Sequence, residues 1–180
     1  MPGSLNDILP EPISAANERI LLELLQRKMK TAAAVGVRLL HAMEARFGPA
    51  AREVLRDMVQ QQSTTPRPDA GPPEADLHAF CADLEKGCAG THRWERIIDA
   101  PDRIGYHFTR CMWAEVYREL GEPDLGFVIC ASDEPAVKAH NAQLGFSRTQ
   151  VLMHGASLCN HVFFVETEQA LPPYQLEQDV

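Results

Sequence analysis

The first residue in this sequence equipped for chemistry is a cysteine at the seam between an extended stretch and a helical one. Cys111 follows His107-Phe-Thr-Arg and leads into Met112-Trp-Ala-Glu. A thiol in the first turn of a helix meets amide donors and the positive end of the helix dipole, which lower its pKa. That environment suits a nucleophile or a metal thiolate, and it equally suits a small residue packed under a sheet. Asp133 closes the run Cys130-Ala-Ser-Asp133 at the end of an apolar segment. A carboxylate there could act as a general base or a ligand, and Asp is also a preferred helix N-cap. The densest cluster runs from Arg148 to His161. Read as a strand, its alternate residues share a face, so Arg148, Gln150, Leu152 and His154 fall in step. An Arg on that face could hold a substrate carboxylate through two parallel hydrogen bonds. Cys159 and His161, two apart, would point the same way, as two ligands of a zinc- or manganese-like ion or as a thiol and its base.

The remaining candidates have plainer readings. His41, His78 and His92 sit in amphipathic contexts that suit solvated or core histidines. Trp94, Trp113, Tyr117, Phe163 and Phe164 read as core, and Glu115, one turn after Cys111, either faces the same pocket or lies in solvent. The five cysteines are odd in number, widely spaced and lack a CxxC pair, so thiols are expected rather than a disulfide framework. Seventeen Lys and Arg against 25 Asp and Glu leave a net charge of −8, which repels phosphate backbones, so no nucleic-acid partner is expected. No apolar run reaches membrane-spanning length, and the opening residues lack a basic region and an apolar core. A cytoplasmic protein without membrane contact is the expectation. Phosphate-binding glycine loops, GxSxG and HExxH are all missing.

These residues need elements to position them. Residues 14–31 carry Ser14 as N-cap and an apolar face of Ile20, Leu21, Leu24, Leu25 and Met29. A second helix is expected over 32–46 and a third after Pro49, making a helical segment over 1–60. Residues 61–75 hold four of the 13 prolines and read as a linker or loop. From 76 the character changes: a helix over 76–86, strands over 92–98 and 102–108, a helix over 109–120, and a helix entered through Ser132 or Asp133. A strand pair, 147–154 and 160–166, is expected across Gly155–Cys159. The expected class is α+β, a helical N-terminal segment followed by a mainly antiparallel sheet with helices on one side, the second unit spanning 76–167 and a tail 168–180.

Four blocks in this order, Phe108 to Gly121, Cys130 to Asp133, Phe146 to Gly155 and Cys159 to His161, resemble the L-2-amino-thiazoline-4-carboxylic acid hydrolase family over roughly 76–167. The resemblance implies opening of a small sulfur–nitrogen ring that bears a carboxylate, giving an N-carbamoyl amino acid. The last element is also similar to 4-vinyl reductase-like sensor domains, in whose relatives cysteines and a carboxylate hold zinc. Two positions depart from the hydrolase pattern: His154 and Asn160 stand where acidic residues are usual.

The leading expectation is therefore a small hydrolase acting on a carboxylated cyclic amide, amidine or thiazoline. Arg148, with Asn160, would bind the substrate. Cys111 would attack as thiolate, Asp133 or His161 would move the proton, and His154 would stabilise developing charge. In the metal version Cys111, Asp133, Cys159 and His161 are the ligands of one divalent ion, zinc or manganese, that activates water. The alternative is a non-catalytic binding module of the sensor type with a structural zinc. A third reading makes 14–60 an interaction segment, with a homo-oligomer formed through the N-terminal helices.

Overall fold

The computed structural model of the chain describes residues 3–61 and 68–166; residues 62–67 of the Pro-rich segment and the tail 168–180 lie outside the described residues. After a short 3₁₀ turn at Leu5–Asp7 comes a single helix, α1 (Ala15–Phe47), where two were expected over 14–31 and 32–46. Nothing interrupts it, because Ala32, Ala33 and Ala34 are strong helix formers and Gly36 alone costs only about 1 kcal/mol. Ser14 caps it by accepting a hydrogen bond from the Asn17 amide at 3.2 Å, and Gly48, at φ 83°, ends it. Its buried stripe is Met29, Ala33, Val37 and Leu40, spaced four, four and three. Ile20, Leu21 and Leu24, expected on the packed face, are exposed instead: periodicity identifies a helix without choosing which side meets the core.

Helix α2 (Ala50–Gln61) folds back on α1. Arg52 staples the two, donating to Glu44 at 2.5 Å and to Glu122, beyond both helices, at 2.9 Å. Helix α3 (Pro73–Cys88) begins at a proline suited to a first helical turn, three residues ahead of the expected start. Strands β1 (His92–Ala100) and β2 (Arg103–Cys111) form a hairpin, each running past its expected end. β2 therefore delivers Cys111 directly to the N-cap position of α4 (Met112–Glu119).

Helix α5 (Pro123–Cys130) is built from the apolar run that looked like the end of an extended segment; Pro123 in its first turn favours helix entry. Ser132 occupies the N-cap position of α6 (Asp133–His140) without a side-chain cap bond, and Asp133 turns its carboxylate elsewhere. Strand β3 (Leu144–Ser147) and strand β4 (Cys159–Val165) complete an antiparallel sheet of order β1-β2-β4-β3. Ile104, Tyr106 and Phe163 are almost wholly buried at its centre, where α3 and α1 residues join them in one core.

The expected strand over 147–154 is a correction. The chain leaves β3 at Ser147, runs irregularly through Val151 and closes a 3₁₀ turn at Leu152–His154. Its amides find side-chain rather than ladder partners: Asn160 Oδ1 accepts from Thr149 and Gln150 at 2.9 and 2.6 Å, and Cys159 Sγ accepts from Leu152 at 3.1 Å. His154 is thus not in step with Arg148.

Candidate active site

Strand register gathers the chemistry. Cys111 pairs with His92 across β1–β2, while Phe108 pairs with Cys159 and Tyr106 with His161 across β2–β4. One face of the sheet therefore presents residues that are far apart in sequence. Helices α3, α4, α5 and α6 close over it and leave a cavity of about 200 Å³. Cys111, Asp133, Arg148, Cys159 and His161, all expected as site residues, line this one cavity. His92, Cys88, Cys130 and Trp113 line it too, and sequence reasoning did not place them there. The signal for His92 is its pairing with Cys111, which needs the hairpin register to be known.

Cys111 lies where the strand becomes the helix. Burial pushes its thiol up to about 11, while the nearby amides of Ala114 and Trp113 pull the other way without forming a hydrogen-bonded cap. Cys88 and Cys130 are pushed by burial to about 12, and burial raises Cys159 as well. The thiols are protonated at neutral pH. His161 is held down at about 3, chiefly by burial and then by the positive charge of Arg148; His92 is held down at about 4 by burial and by Arg110. Both imidazoles are neutral. His161 packs among Phe108, at 4.8 Å between ring centres, and Phe146, at 5.2 Å, and its buried Nδ1 has no hydrogen-bond partner.

Arg148 Nη1 donates to Asp133 Oδ2 at 2.5 Å and its Nη2 to the Cys130 carbonyl at 3.0 Å. Burial raises the Asp133 pKa despite the guanidinium beside it. Two expected residues lie off the cavity wall. His154 rests on Phe127, 4.4 Å between ring centres, with Nε2 3.6 Å from Asp124 near the surface. Asn160 is buried and spends its side chain on residues 149 and 150, donating also to Thr149 Oγ1 at 2.7 Å, so it shapes the segment that carries Arg148. Glu115 turns to the opposite side and pairs with Arg110 at 2.7 Å.

The donors do not suit a divalent metal. Among the described residues no three His, Cys, Asp or Glu side chains group as metal ligands. Asp133 is engaged by Arg148, and the Arg148 charge beside His161 opposes a second cation.

An antiparallel sheet roofed by helices, with thiols, neutral imidazoles and one ion pair around a partly open cavity, defines an α+β protein. The chain belongs to the L-2-amino-thiazoline-4-carboxylic acid hydrolase family, whose model matches residues 26–163. That span starts within α1 and ends within β4, so the N-terminal helices share in the family architecture. No curated protein and no solved structure matches the chain. No helix is long and apolar enough to cross a membrane, among the described residues.

Proposed function

We propose that the protein is a small cytoplasmic hydrolase that opens a carboxylated, amidine-containing ring such as the thiazoline of its family's name. The observation that carries this reading is the meeting of Cys111, at the amino end of α4, with His161 and the Arg148 guanidinium around one cavity. Arg148 holds the ring carboxylate, and the neutral His161 imidazole stands beside the ligand's amino group. The bound amidinium first gives its ring-nitrogen proton to solvent; Cys111 Sγ then bonds to the ring carbon between sulfur and nitrogen, and the thiol proton goes to the ring nitrogen. That nitrogen is a better base than an imidazole held near 3. Concerted transfer also avoids a free thiolate, which burial disfavours. The ring carbon–sulfur bond then breaks, and the departing sulfur takes a proton from the amino group. Water adds to the carbon still bound to Cys111, and loss of the Cys111 thiol leaves a carbamoyl product, for a net gain of one water.

Mass spectrometry after incubation with L-2-amino-thiazoline-4-carboxylate, hydantoins and related cyclic amides tests this. A product heavier by one water is expected, together with loss of turnover in a folded Cys111→Ala variant. Absence of that product from every incubation would sink the hydrolase reading. Full activity in the variant would remove Cys111 from it and leave water attack at the same ring carbon.

A further inference from the structure

Arg148 is the one cation and Asp133 the one carboxylate among the described residues lining the cavity, and they are already bound to each other. The guanidinium is fixed from several sides: Asp133 and the Cys130 carbonyl accept its hydrogen bonds, and the rings of Phe127 and Phe146 flank it at 5.7 and 5.4 Å. The Arg148 side chain is 8% exposed and that of Asp133 is 36% exposed, so the carboxylate stands on the open side of the pair. A ligand carboxylate that takes up the Nη1 hydrogen bond now made to Asp133 does so by taking the place of Asp133. Every other titratable group on the wall is neutral, so nothing else there can compensate a charge set free.

We infer that Asp133 is a built-in stand-in for the ligand's carboxylate, and that the cavity selects a zwitterion. The ligand's carboxylate replaces Asp133 on Arg148, and its cationic amidinium or ammonium group meets the Asp133 carboxylate so released. Such an exchange trades one ion pair for two and leaves no charge alone. A plain anion would strand Asp133, and a plain cation would have to share Asp133 with Arg148. A charge left without its partner weakens binding, by less for the partly exposed Asp133 than for a fully buried group. Asp133 is on this account a specificity-determining residue. The inference rests on the cavity being the ligand site of the proposed hydrolase, and it does not require turnover.

Three probes that differ in charge test it on the full chain: L-2-amino-thiazoline-4-carboxylate as zwitterion, thiazole-4-carboxylate as anion and 2-aminothiazoline as cation. Binding is read from tryptophan fluorescence within seconds of mixing, since Trp113 lines the cavity. The wild-type protein should bind the zwitterion about 5-fold more tightly than either singly charged probe, the upper end of what a partly exposed ion pair contributes. Asp133→Asn should reverse the order, weakening the zwitterion and strengthening the anion. Equal wild-type affinity for anion and zwitterion would overturn the inference, as would an unchanged preference in the variant or failure of all three probes to bind. The wild-type comparison stands even if the variant does not fold. Binding with the expected selectivity but no hydrolysis would sink the hydrolase reading alone, and hydrolysis without charge selectivity would sink this inference alone.

Discussion

Lowering the pH from 7.5 to 5 should destabilise this protein through two particular histidines. His161 and His92 have folded-state pKa values near 3 and 4, well below the ordinary imidazole value of 6.5. A group whose folded pKa is depressed is protonated first in the unfolded chain, so its contribution is complete above 6.5 and is lost as the pH falls toward the folded value. At about pH 5 the unfolded imidazole lies 1.5 units below its own pKa, and each histidine costs at most about 2 kcal/mol, or about 4 kcal/mol together. That is a large share of the stability of a typical domain, about 5–15 kcal/mol. Glu122, whose pKa is held down chiefly by its hydrogen bond from Arg52, loses its contribution only below this window. Urea unfolding across this range should show the midpoint falling steadily with pH. In His161→Phe, whose ring would join Phe108, Phe146 and Phe163, about half of the pH dependence should vanish. An unaltered pH slope in that variant would refute the claim that His161 is buried neutral. A slope lost entirely would show that the two sites titrate as one coupled pair.

Two further outcomes follow from the same geometry. Iodoacetamide should modify all the thiols far more slowly than a free cysteine at pH 8. Cys111 should react ahead of Cys88 and Cys130, since its pKa is lower than theirs and the thiolate is the reactive form; peptide mapping that finds Cys88 or Cys130 labelled first would contradict this order. Asn160→Ala removes the acceptor of two backbone amides and the donor to Thr149. It should cost about 1–2 kcal/mol in urea unfolding, since the two amides are only part-buried and water replaces some of the lost bonding, and it should raise KM more than it lowers kcat because Arg148 loses its fixed position. A loss in kcat alone would place Asn160 in the chemistry instead.

Local chemistry in the chain was enough for most of the element types and for several of the residues that meet in the cavity. Ser14 as a cap, Pro49 as a helix starter and the turn between β1 and β2 all act through neighbours a few residues away, so their signals are readable in order. Cys111 at a strand–helix junction is of this kind, and so is the two-residue spacing of Cys159 and His161, which share a face because β4 is a strand. Other features depend on partners distant in sequence. The packed side of α1 is chosen by what α4 and the core present to it, so the exposed Ile20 and Leu24 look no different in sequence from the buried Met29 and Leu40. The place of His92 beside Cys111 follows from hairpin register. Residues 148–154 are strand-like in pattern, yet Asn160 and Cys159 accept their amides from across the sheet and bend them into a turn. The pairing of Asp133 with Arg148 likewise needs α6 and the end of β3 brought together. Charge state is the most tertiary property of all: a cysteine at 11 and a histidine at 3 carry the same letters as solvated ones, and only burial in a shared low-dielectric cavity separates them.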